Sequence, residues 1–458
     1  MDDIYAIVNE QKEYFNSQST KDIGFRLDKL RLLKKNIKLM EKDIIEALKR
    51  DLNKPEFESY TTELGPVYSA LDLSLKKTRK WAKPRKKPTP LYQWGKSYVE
   101  YEPYGCVLII APFNYPFLLA IEPLIGAIAS GNTVVVKPSE MAKYTSNIVC
   151  KLLDMTFDRE HVRAIEGEVE TTTELLKQRF DYIFFTGSPR VAKIVMKAAS
   201  DNLIPVTLEL GGKSPTIIDE SADIKVAARR IVWGKFLNTG QTCIAPDYIL
   251  VDKRVKNEFI GELKTAIIDF YGQDIKGNKD FGRIINTKHT ERLVEIIQKD
   301  KGQIIFGGDW DLEEKFISPT IIECSDTSSA CMQDEIFGPI LPIIGYSSLD
   351  EAIDMIRNFE RPLAMYIFSK DKSNINKLKE SILCGNITIN DTIKHAANVN
   401  IPFGGVGNSG MGSYHGVYTF ETFSHKRGVY ENRLSFNVDT VFAPYNDKKL
   451  SLIRRIFG

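Results

Sequence analysis

The sequence feature that most restricts the fold is a repeated alternation between residues 105 and 210. Short apolar, β-rich runs alternate with longer stretches of helical periodicity, near 116–130, 146–155, 172–179 and 191–200. The apolar runs cover 106–111, 133–137, 162–165, 182–186 and 206–210. Continuously apolar strands separated by helices are typical of βαβ units around a buried parallel sheet. The alternation begins again after Gly212, so the sequence predicts a doubly wound α/β domain and then a second α/β domain.

The ends of the predicted strands indicate where a ligand binds. In a parallel sheet, ligands bind at the carboxyl ends of the strands, where backbone groups and helix N-termini converge. Asn114, Lys137, Thr186 and Glu209 lie at or just after such ends. We therefore expect the chemistry of this protein at that edge.

Charge and cysteine usage exclude several classes of protein. The 458 residues include 62 Lys and Arg against 60 Asp and Glu, a formal net charge of +2, which argues against a dedicated nucleic-acid binder. The six cysteines form no C-x-x-C pair and the five histidines no H-E-x-x-H motif, so neither a disulfide framework nor a metal site is expected. The sequence has no signal-peptide pattern, and no apolar run reaches the ~18 residues of a membrane span. We expect a cytoplasmic protein with reduced thiols and no stable membrane anchor.

The flanking segments have other patterns. From Leu30 to Leu48, apolar residues recur every three or four positions, which predicts an amphipathic helix. The basic run 76–87 predicts a solvated linker after a helix, and the aromatic-rich segment 92–101 predicts β structure away from the main fold. The last segment, 420–458, has little recognisable pattern, and its few terminal apolar residues would hold a membrane surface only weakly.

Cys243 is the favoured nucleophile among the cysteines. It lies in Asn-Thr-Gly-Gln-Thr-Cys-Ile-Ala-Pro, where Gly240 permits an unusual backbone path before the thiol and Pro246 constrains the path after it. A sharp turn there would expose the sulfur. Judged alone, a cysteine is more often a small buried apolar residue than a nucleophile, so both interpretations stand at this point.

Glu209 and Asn114 each allow a structural and a catalytic interpretation. Glu209 points away from the apolar face of the predicted strand 206–210, either into solvent or into a site where it acts as a general base. Asn114 either caps the next helix or donates its amide to a developing oxyanion. Residues 185–189, Phe-Thr-Gly-Ser-Pro, predict a tight turn and a helix whose N-terminus could receive a phosphate.

Seven motifs follow one another along nearly the whole chain. They are Pro-Phe-Asn-Tyr-Pro (112–116), Val-Val-Lys-Pro-Ser-Glu (135–140), Phe-Thr-Gly-Ser (185–188), Leu-Glu-Leu-Gly-Gly-Lys-Ser-Pro (208–215), Gly-Gln-Thr-Cys (240–243), Glu-Ile-Phe-Gly-Pro (335–339) and Pro-Phe-Gly-Gly-Val-Gly-Asn-Ser-Gly-Met-Gly (402–412). Together they resemble the aldehyde dehydrogenase superfamily. The short N-terminus, Lys-Pro-Ser-Glu and Tyr-His-Gly (414–416) are most similar to class 3, the fatty and aromatic aldehyde dehydrogenases.

The resemblance implies a domain plan and an activity. Residues 1–82 and 104–210 would form a Rossmann-type NAD(P)-binding domain, 211–400 an α/β catalytic domain, and 83–103 with 401–458 a small β oligomerisation element. The activity would be NAD(P)-dependent oxidation of aldehydes to carboxylic acids through a cysteine thiohemiacetal and thioester.

The resemblance also assigns the catalytic roles. Cys243 would attack the aldehyde carbon, Asn114 and the Cys243 backbone N–H would bind the oxyanion, and Glu209 would activate the water that cleaves the thioester. A helix N-terminus or a cofactor cation nearby would lower the pKa of the thiol. No metal is required.

For the cofactor, the resemblance implies residues that contact the adenosine ribose, the pyrophosphate and the nicotinamide ribose. Lys137 and Glu140 would contact the adenosine ribose, and Gly187 and Ser188 the pyrophosphate. Glu335 would contact the nicotinamide ribose, with Phe337 packing nearby. Glu140 would repel a 2′-phosphate by like charge, which favours NAD, with NADP also possible. Ala192 stands where many relatives have glycine.

The substrate and the partners are implied in the same way. Tyr115, Trp233 and Thr242 match positions that line the family's substrate tunnel, and they predict an apolar entrance for medium- or long-chain aliphatic or aromatic aldehydes. A homodimer is implied as well. Two alternatives remain: an acylating enzyme that passes the thioester to coenzyme A, which Glu209 disfavours, and an inactive dinucleotide-binding structural protein, which the intact Cys243 disfavours.

Overall fold

The N-terminal part of the chain is helical, in a computed structural model that describes residues 3–90, 93, 95–432 and 439–457. The helices are α1 (Ile4–Asn16), α2 (Ile23–Leu39), α3 (Glu41–Leu52), α4 (Glu56–Ser59) and α5 (Gly65–Trp81), with a π-helical turn, Tyr60–Leu64, before α5. Two strands follow, β1 (Arg85–Lys87) and β2 (Gly95–Pro103). The periodic segment 30–48 is divided at Met40, where φ −96° and ψ 9° leave the helical range.

The first alternating segment contains every strand and helix predicted between 105 and 210. Its elements are β3 (Cys106–Ile110), α6 (Leu118–Ser130), β4 (Thr133–Lys137), α7 (Lys143–Thr156), β5 (Val162–Ala164), α8 (Val169–Leu176), β6 (Tyr182–Thr186), α9 (Pro189–Ser200) and β7 (Val206–Glu209).

The second alternating segment extends from Gly212 to about residue 390. Its elements are β8 (Pro215–Ile218), α10 (Ile224–Phe236), β9 (Tyr248–Asp252), α11 (Lys256–Tyr271), α12 (Thr287–Lys299), β10 (Ile304–Phe306), β11 (Trp310–Asp311), β12 (Phe316–Ile317), β13 (Thr320–Cys324), β14 (Ile340–Tyr346), α13 (Leu349–Arg357), β15 (Ala364–Phe368), α14 (Lys372–Ser381) and β16 (Asn386–Ile389). The C-terminal part adds β17 (Gly410–Met411), α15 (Val417–Thr422), β18 (Ser424–Asn432) and α16 (Asp447–Phe457).

Two mainly parallel sheets form the interior. The first has the order β17-β7-β6-β3-β4-β5 and the second β10-β13-β14-β9-β8-β15-β16. Among the described strands, β17 and β10 alone run antiparallel to their neighbours in these sheets. Every residue of β3, β4, β6, β8, β9 and β15 is buried, as expected for strands covered on both faces by helices. The predicted α/β class, with a Rossmann-type first sheet, is confirmed.

A three-stranded antiparallel sheet, β1-β2-β18, lies apart from the two parallel sheets. Strand β2 confirms the β structure predicted for 92–101 from Gly95 onward, while positions 92 and 94 are outside the described residues. The basic run 76–87, predicted as a solvated linker ending a helix, does end α5 at Trp81, but its last residues form β1. The backbone of 85–87 pairs with β2 while Lys86 and Lys87 stay exposed, so charged side chains did not prevent a strand. Strand β17, from the segment 401–458, pairs with β7 of the first sheet.

Candidate active site

A tight turn after α10 places Cys243 beside the first sheet's edge. Within the turn Leu237–Gly240, Asn238 and the residue after it adopt left-handed φ values of 51° and 55°. Gly240 follows with φ 75°, and a Cβ there would lie 2.3 Å from the carbonyl oxygen of Gly338. Only glycine fits this position, because any side chain would collide with that backbone. Cys243 leaves the turn half-buried.

The side chain of Gln241 holds this turn in place. Its Nε2 donates to the carbonyl oxygens of Asn238 (3.1 Å) and Arg283 (3.0 Å), and its Oε1 accepts from the backbone N–H of Ile285 (3.0 Å). Gln241 is thereby a positioning residue for Cys243 that the sequence reasoning did not single out. Its place in Gly-Gln-Thr-Cys was the available signal.

Asn114 lies against the same turn. Its Nδ2 donates to the backbone carbonyl oxygen of Gln241 (3.0 Å). The backbone carbonyl oxygen of Asn114 accepts from Asn238 Nδ2 (2.8 Å) and from Lys54 Nζ (3.3 Å). An amide nitrogen carries two hydrogens, so one is available to a ligand. The helix-capping interpretation is wrong, because Phe117 and not Asn114 occupies the N-cap position of α6.

A buried ion pair supports Asn114 from behind. Lys54 Nζ and Glu63 Oε1 are 2.6 Å apart, and neither side chain is accessible to solvent. Glu63 also accepts the backbone N–H groups of Phe117 and Leu118, each at 3.0 Å, which fixes the start of α6. Nothing in the sequence motifs pointed to this pair, since Lys54 lies in the connection between α3 and α4 and Glu63 in the π-helical turn, both outside the motif segments.

Glu209 ends β7 in an enclosed position. Its residue surface is 2% exposed, and neither carboxylate oxygen has a hydrogen-bond partner. Burial raises the pKa of this carboxyl well above its ordinary value, because the charged form loses its hydration. The solvent-facing interpretation is therefore wrong. An unpartnered buried carboxyl is energetically unfavourable, and such groups cluster at functional sites.

The thiol of Cys243 lies within electrostatic reach of two carboxyl groups. Burial raises the pKa of the thiol above its ordinary value, Glu335 and Glu209 raise it further, and the backbone N–H groups of Cys243 and Ile244 lower it. The backbone N–H groups are thus the contributions that favour the thiolate, which is the nucleophilic form of a cysteine.

The three predicted tunnel residues occupy two settings. Tyr115 and Thr242 are buried and their hydroxyl oxygens are 2.6 Å apart, which joins them into one wall beside the sulfur. Trp233 is half-buried on α10, with Lys394 Nζ 4.9 Å from its ring centroid. The structure thus brings two of these residues together next to Cys243, while the third lies against a different loop.

Lys137 and Glu140 lie at the carboxyl end of β4. Lys137 is 1% exposed, and its Nζ donates to the carbonyl oxygen of Pro138 (2.8 Å) and to Glu140 Oε2 (3.3 Å). The Glu140 side chain is 26% exposed. A ligand at this edge would meet the Glu140 carboxylate first, with the lysine beneath it.

Gly187 and Ser188 form the turn between β6 and α9. The Gly187 N–H donates to the carbonyl oxygen of Glu209 (3.0 Å), and a Cβ on Gly187 would lie 2.6 Å from the Phe185 ring. Ser188 caps α9, with its Oγ accepting from the Val191 N–H at 3.4 Å. This turn leaves the helix N-terminus open to an anion.

These cofactor residues form a row along one edge. The strand order places Lys137, at the end of β4, three strands from Glu209, at the end of β7. At ~4.8 Å per strand, the row spans about 14 Å, which suits an extended ligand. Ala192 is 2% exposed and packs into the core under α9, so its methyl group does not enter the phosphate turn.

Glu335 closes the row beside the second sheet. A Cβ on Gly211 would lie 2.4 Å from Glu335 Oε1, so the glycine lets this carboxyl approach the backbone closely. Burial, together with the nearby Asp247 carboxylate, raises the pKa of Glu335 to about 8. The loop is held by a buried pair, Lys213 Nζ and Asp247 Oδ2, 2.5 Å apart.

Phe337 extends the same loop toward the first sheet. It adopts a left-handed φ of 49°, and its ring meets Phe113 edge-on with the centroids 5.7 Å apart. In the part of the chain that the structure describes, no group of three or more His, Cys, Asp or Glu side chains could hold a metal ion.

Fold and site together define an α/β enzyme of dehydrogenase type, with a candidate cysteine nucleophile between a dinucleotide-type sheet edge and a second sheet. The family model for the aldehyde dehydrogenase family matches residues 1–429. The 4,4'-diaponeurosporen-aldehyde dehydrogenase of Staphylococcus aureus is 49% identical over 440 residues, 96% of each chain. The dimeric NADP-preferring aldehyde dehydrogenase of Canis lupus familiaris is 45% identical, over 93% of this chain and 94% of the relative.

A solved structure described as the substrate-bound state of Staphylococcus aureus AldH superposes on the whole of both chains with a TM-score of 0.98 and 47% identity. The chain belongs to the aldehyde dehydrogenase family. It is an NAD(P)-dependent oxidoreductase that converts aldehydes to carboxylic acids.

Proposed function

We propose that Cys243 is the nucleophile of this oxidation and Glu209 the base of its hydrolytic step. The observation that carries the proposal is the pair of unpartnered Glu209 oxygens, buried within electrostatic reach of the sulfur. In the first step a carbon–sulfur bond forms, the thiol proton passes to a base and the carbonyl oxygen gains negative charge. A cysteine on a rigid turn beside an unsatisfied carboxyl suits this sequence of events.

Asn114 and the Cys243 backbone N–H stabilise the oxyanion. One hydrogen of the Asn114 amide is fixed by Gln241, so the other has a defined direction. A prepositioned donor of this kind contributes roughly 2.7–4 kcal/mol to transition-state stabilisation. The Lys54 contact to the Asn114 carbonyl oxygen supports the rigidity that such a donor needs.

The row at the first sheet's edge fits a dinucleotide. Gly187 and Ser188 bind the pyrophosphate at the α9 N-terminus, Lys137 and Glu140 the adenosine ribose, and Glu335 the nicotinamide ribose, with Phe337 packing nearby. The unpartnered hydroxyl of Thr186, at the end of β6, supports a ligand there. When bound, the nicotinamide accepts the hydride. We assign NAD as the main cofactor because of Glu140, and NADP as a second because of the NADP-preferring relative.

Glu209 completes the reaction by taking a proton from the water that attacks the thioester. The new carbon–oxygen bond forms, the carbon–sulfur bond breaks and the acid leaves. A raised pKa makes Glu209 a stronger base once it is ionised.

The substrates are medium- or long-chain aliphatic or aromatic aldehydes. The buried wall of Tyr115 and Thr242 supports an apolar tunnel, and one relative is named for the aldehyde 4,4'-diaponeurosporen-aldehyde. The protein is a homodimer, as the name of the dimeric relative suggests, and it is cytoplasmic, which suits its free cysteines. Residues 1–82 with 104–210 form the cofactor domain, 211–400 the catalytic domain, and 83–103 with 401–458 the dimerisation segments.

The deciding experiment compares Glu209→Gln with Glu122→Gln in a rapid-mixing assay of reduced-cofactor absorbance. Glu122 is a matched control, because burial raises its pKa to about 8 and it lies outside the proposed machinery. Glu209→Gln should give one burst per active site and then turn over at least roughly a hundredfold more slowly, since general-base catalysis contributes that much. Full-rate turnover after the burst would refute the role of Glu209.

Cys243→Ser should abolish the burst itself. A burst of parental size in that variant would refute the nucleophile. If Glu209→Gln regained full turnover only with coenzyme A present, the acylating alternative would replace hydrolysis.

A further inference from the structure

Glu58 is a buried carboxyl that none of the reaction steps above uses. It lies on α4 and is 8% exposed. The backbone N–H of Asn238 donates to its Oε1 at 2.8 Å, across 180 residues of chain. The tertiary structure, and no local motif, thus brings Glu58 to the turn that precedes Cys243.

This turn needs support from outside its own segment. Asn238 and Thr239 adopt left-handed φ values of 51° and 55°. For a β-branched residue such as Thr239 this conformation is rare and strained. Strained backbone persists only where the surrounding structure holds it. The Glu58 carboxyl supplies such a hold at the first of the two residues.

Asn238 connects Glu58 to the proposed oxyanion donor. Asn238 Nδ2 donates to the backbone carbonyl oxygens of Asn114 (2.8 Å) and Gln241 (3.1 Å). Asn114 Nδ2 donates to the same Gln241 carbonyl oxygen at 3.0 Å. One residue thus joins the Asn114 segment to the turn that carries Cys243, and Glu58 fixes the backbone of that residue.

The strength of this hold depends on the charge of Glu58, because a carboxylate accepts a stronger hydrogen bond than a neutral oxygen does. Burial, together with the Glu63 carboxylate, raises the pKa of Glu58 to about 7, while Lys54 and the Asn238 N–H lower it. The hold should therefore weaken as the pH falls through about 7. The charged and titratable side chains that interact with Glu58 are Lys54, Glu63, Tyr115 and Tyr271.

We propose that Glu58 is a positioning residue for the two oxyanion donors, Asn114 and the Cys243 backbone N–H, and that it acts through Asn238. The ionised carboxylate holds the turn in the geometry that attack by the sulfur requires. The proposal rests on the proposed function, since it takes Cys243 as the nucleophile and Asn114 as an oxyanion donor.

The test is a single-turnover assay, with enzyme in excess over hexanal and with saturating NAD, that measures the rate constant of reduced-cofactor formation. Glu58→Gln keeps the length and an acceptor oxygen but loses the charge. The parent should be about five- to tenfold faster than this variant at about pH 8.5, as expected when a charged acceptor replaces a neutral one. The ratio should fall to about twofold or less at about pH 6, where the parent carboxyl is largely protonated. Taking the ratio cancels the titration of groups that both proteins share.

Glu58→Asp makes the opposite change, because it keeps the charge but is one methylene group too short to reach the Asn238 N–H. It should slow the reaction at least about tenfold at every pH, since a small misplacement of catalytic groups is costly. The matched control is Glu56→Gln, an exposed carboxyl on the same helix, which should keep the parental rate and pH dependence. The dissociation constant of NAD, measured by fluorescence quenching, should be the same in Glu58→Gln and the parent.

Three results would overturn the proposal. They are a parental rate in Glu58→Asp, a ratio of parent to Glu58→Gln that does not change with pH, and weakened NAD binding by Glu58→Gln, which would indicate a general loss of structure. Cys243→Ser in the same assay separates this proposal from the proposed function. Reduced cofactor formed by Cys243→Ser at the parental rate would remove both, whereas parental rates in the Glu58 variants alone would remove only the role of Glu58.

Discussion

Glu63 and Glu209 are both enclosed glutamates near the Cys243 turn, but their surroundings are opposite. Glu63 is fully inaccessible, paired with Lys54 at 2.6 Å, and accepts two backbone N–H groups. Glu209 is 2% exposed and neither of its oxygens has a partner. The Glu63 carboxylate, on the side of the turn that supports Asn114, thus has hydrogen-bond partners. The Glu209 carboxyl, on the side that holds the Cys243 thiol, has none.

This difference separates the residues that position the catalytic groups from the residues proposed to react. Behind the turn, hydrogen bonds from Lys54 and Asn238 to the Asn114 carbonyl oxygen hold the oxyanion donor rigidly. In front, Glu209 and Cys243 interact electrostatically, and burial raises the pKa of both groups. Rigid support makes such an unfavourable arrangement sustainable.

The largest expected effect is on the supporting side. Glu63→Gln removes the carboxylate that pairs with the buried Lys54 ammonium, so we expect the free energy of unfolding to fall by roughly 3–5 kcal/mol. Urea unfolding measures this. Glu46→Gln, an exposed position on α3, is the control and should change stability by less than about 0.5 kcal/mol. A Glu63→Gln protein as stable as that control would break the comparison.

The second effect is that Glu209→Gln should raise the free energy of unfolding, by an amount that depends on pH. The pKa of Glu209 is raised in the folded protein, so the parent loses stability as the pH rises above the carboxyl's unfolded value. Glu209→Gln removes this loss. The stability advantage of the variant should grow with pH by up to about 1.4 kcal/mol per unit while the folded carboxyl stays protonated. Urea unfolding at several pH values measures it, and a constant difference would contradict the raised pKa.

The smallest effect concerns the reactivity of Cys243. Of the two carboxyl groups that raise the thiol pKa, Glu335 raises it more than Glu209 does. Glu335→Gln should therefore lower the pKa of the thiol, and the thiol should react faster with iodoacetamide at a fixed pH. We expect a change of a few-fold, because the dominant cause, burial, remains. Cys243→Ser provides the background from the other five cysteines. Slower alkylation in Glu335→Gln would show that Glu335 does not act through its charge.

Several elements could be predicted because their information is local. The strands 133–137 and 182–186 coincide with β4 and β6, since continuous apolar runs between helices have few other arrangements. Strand β1 was missed, because its pairing with β2 depends on a partner and not on its own charged residues. Helix α16 was missed because basic residues interrupt its apolar pattern.

The sequence by itself determined the α/β class, the family and the candidate residues Cys243, Glu209 and Asn114, because motif spacing and strand ends are properties of neighbouring residues. Only the tertiary structure decided which buried acidic groups have hydrogen-bond or ion-pair partners. Lys54 meets Asn114 and Glu63 meets Phe117 across more than fifty residues of chain, and Glu335 reaches Gly211 from the loop before β14. Burial and partners arise from such distant contacts, and they set the pKa values on which the chemistry depends.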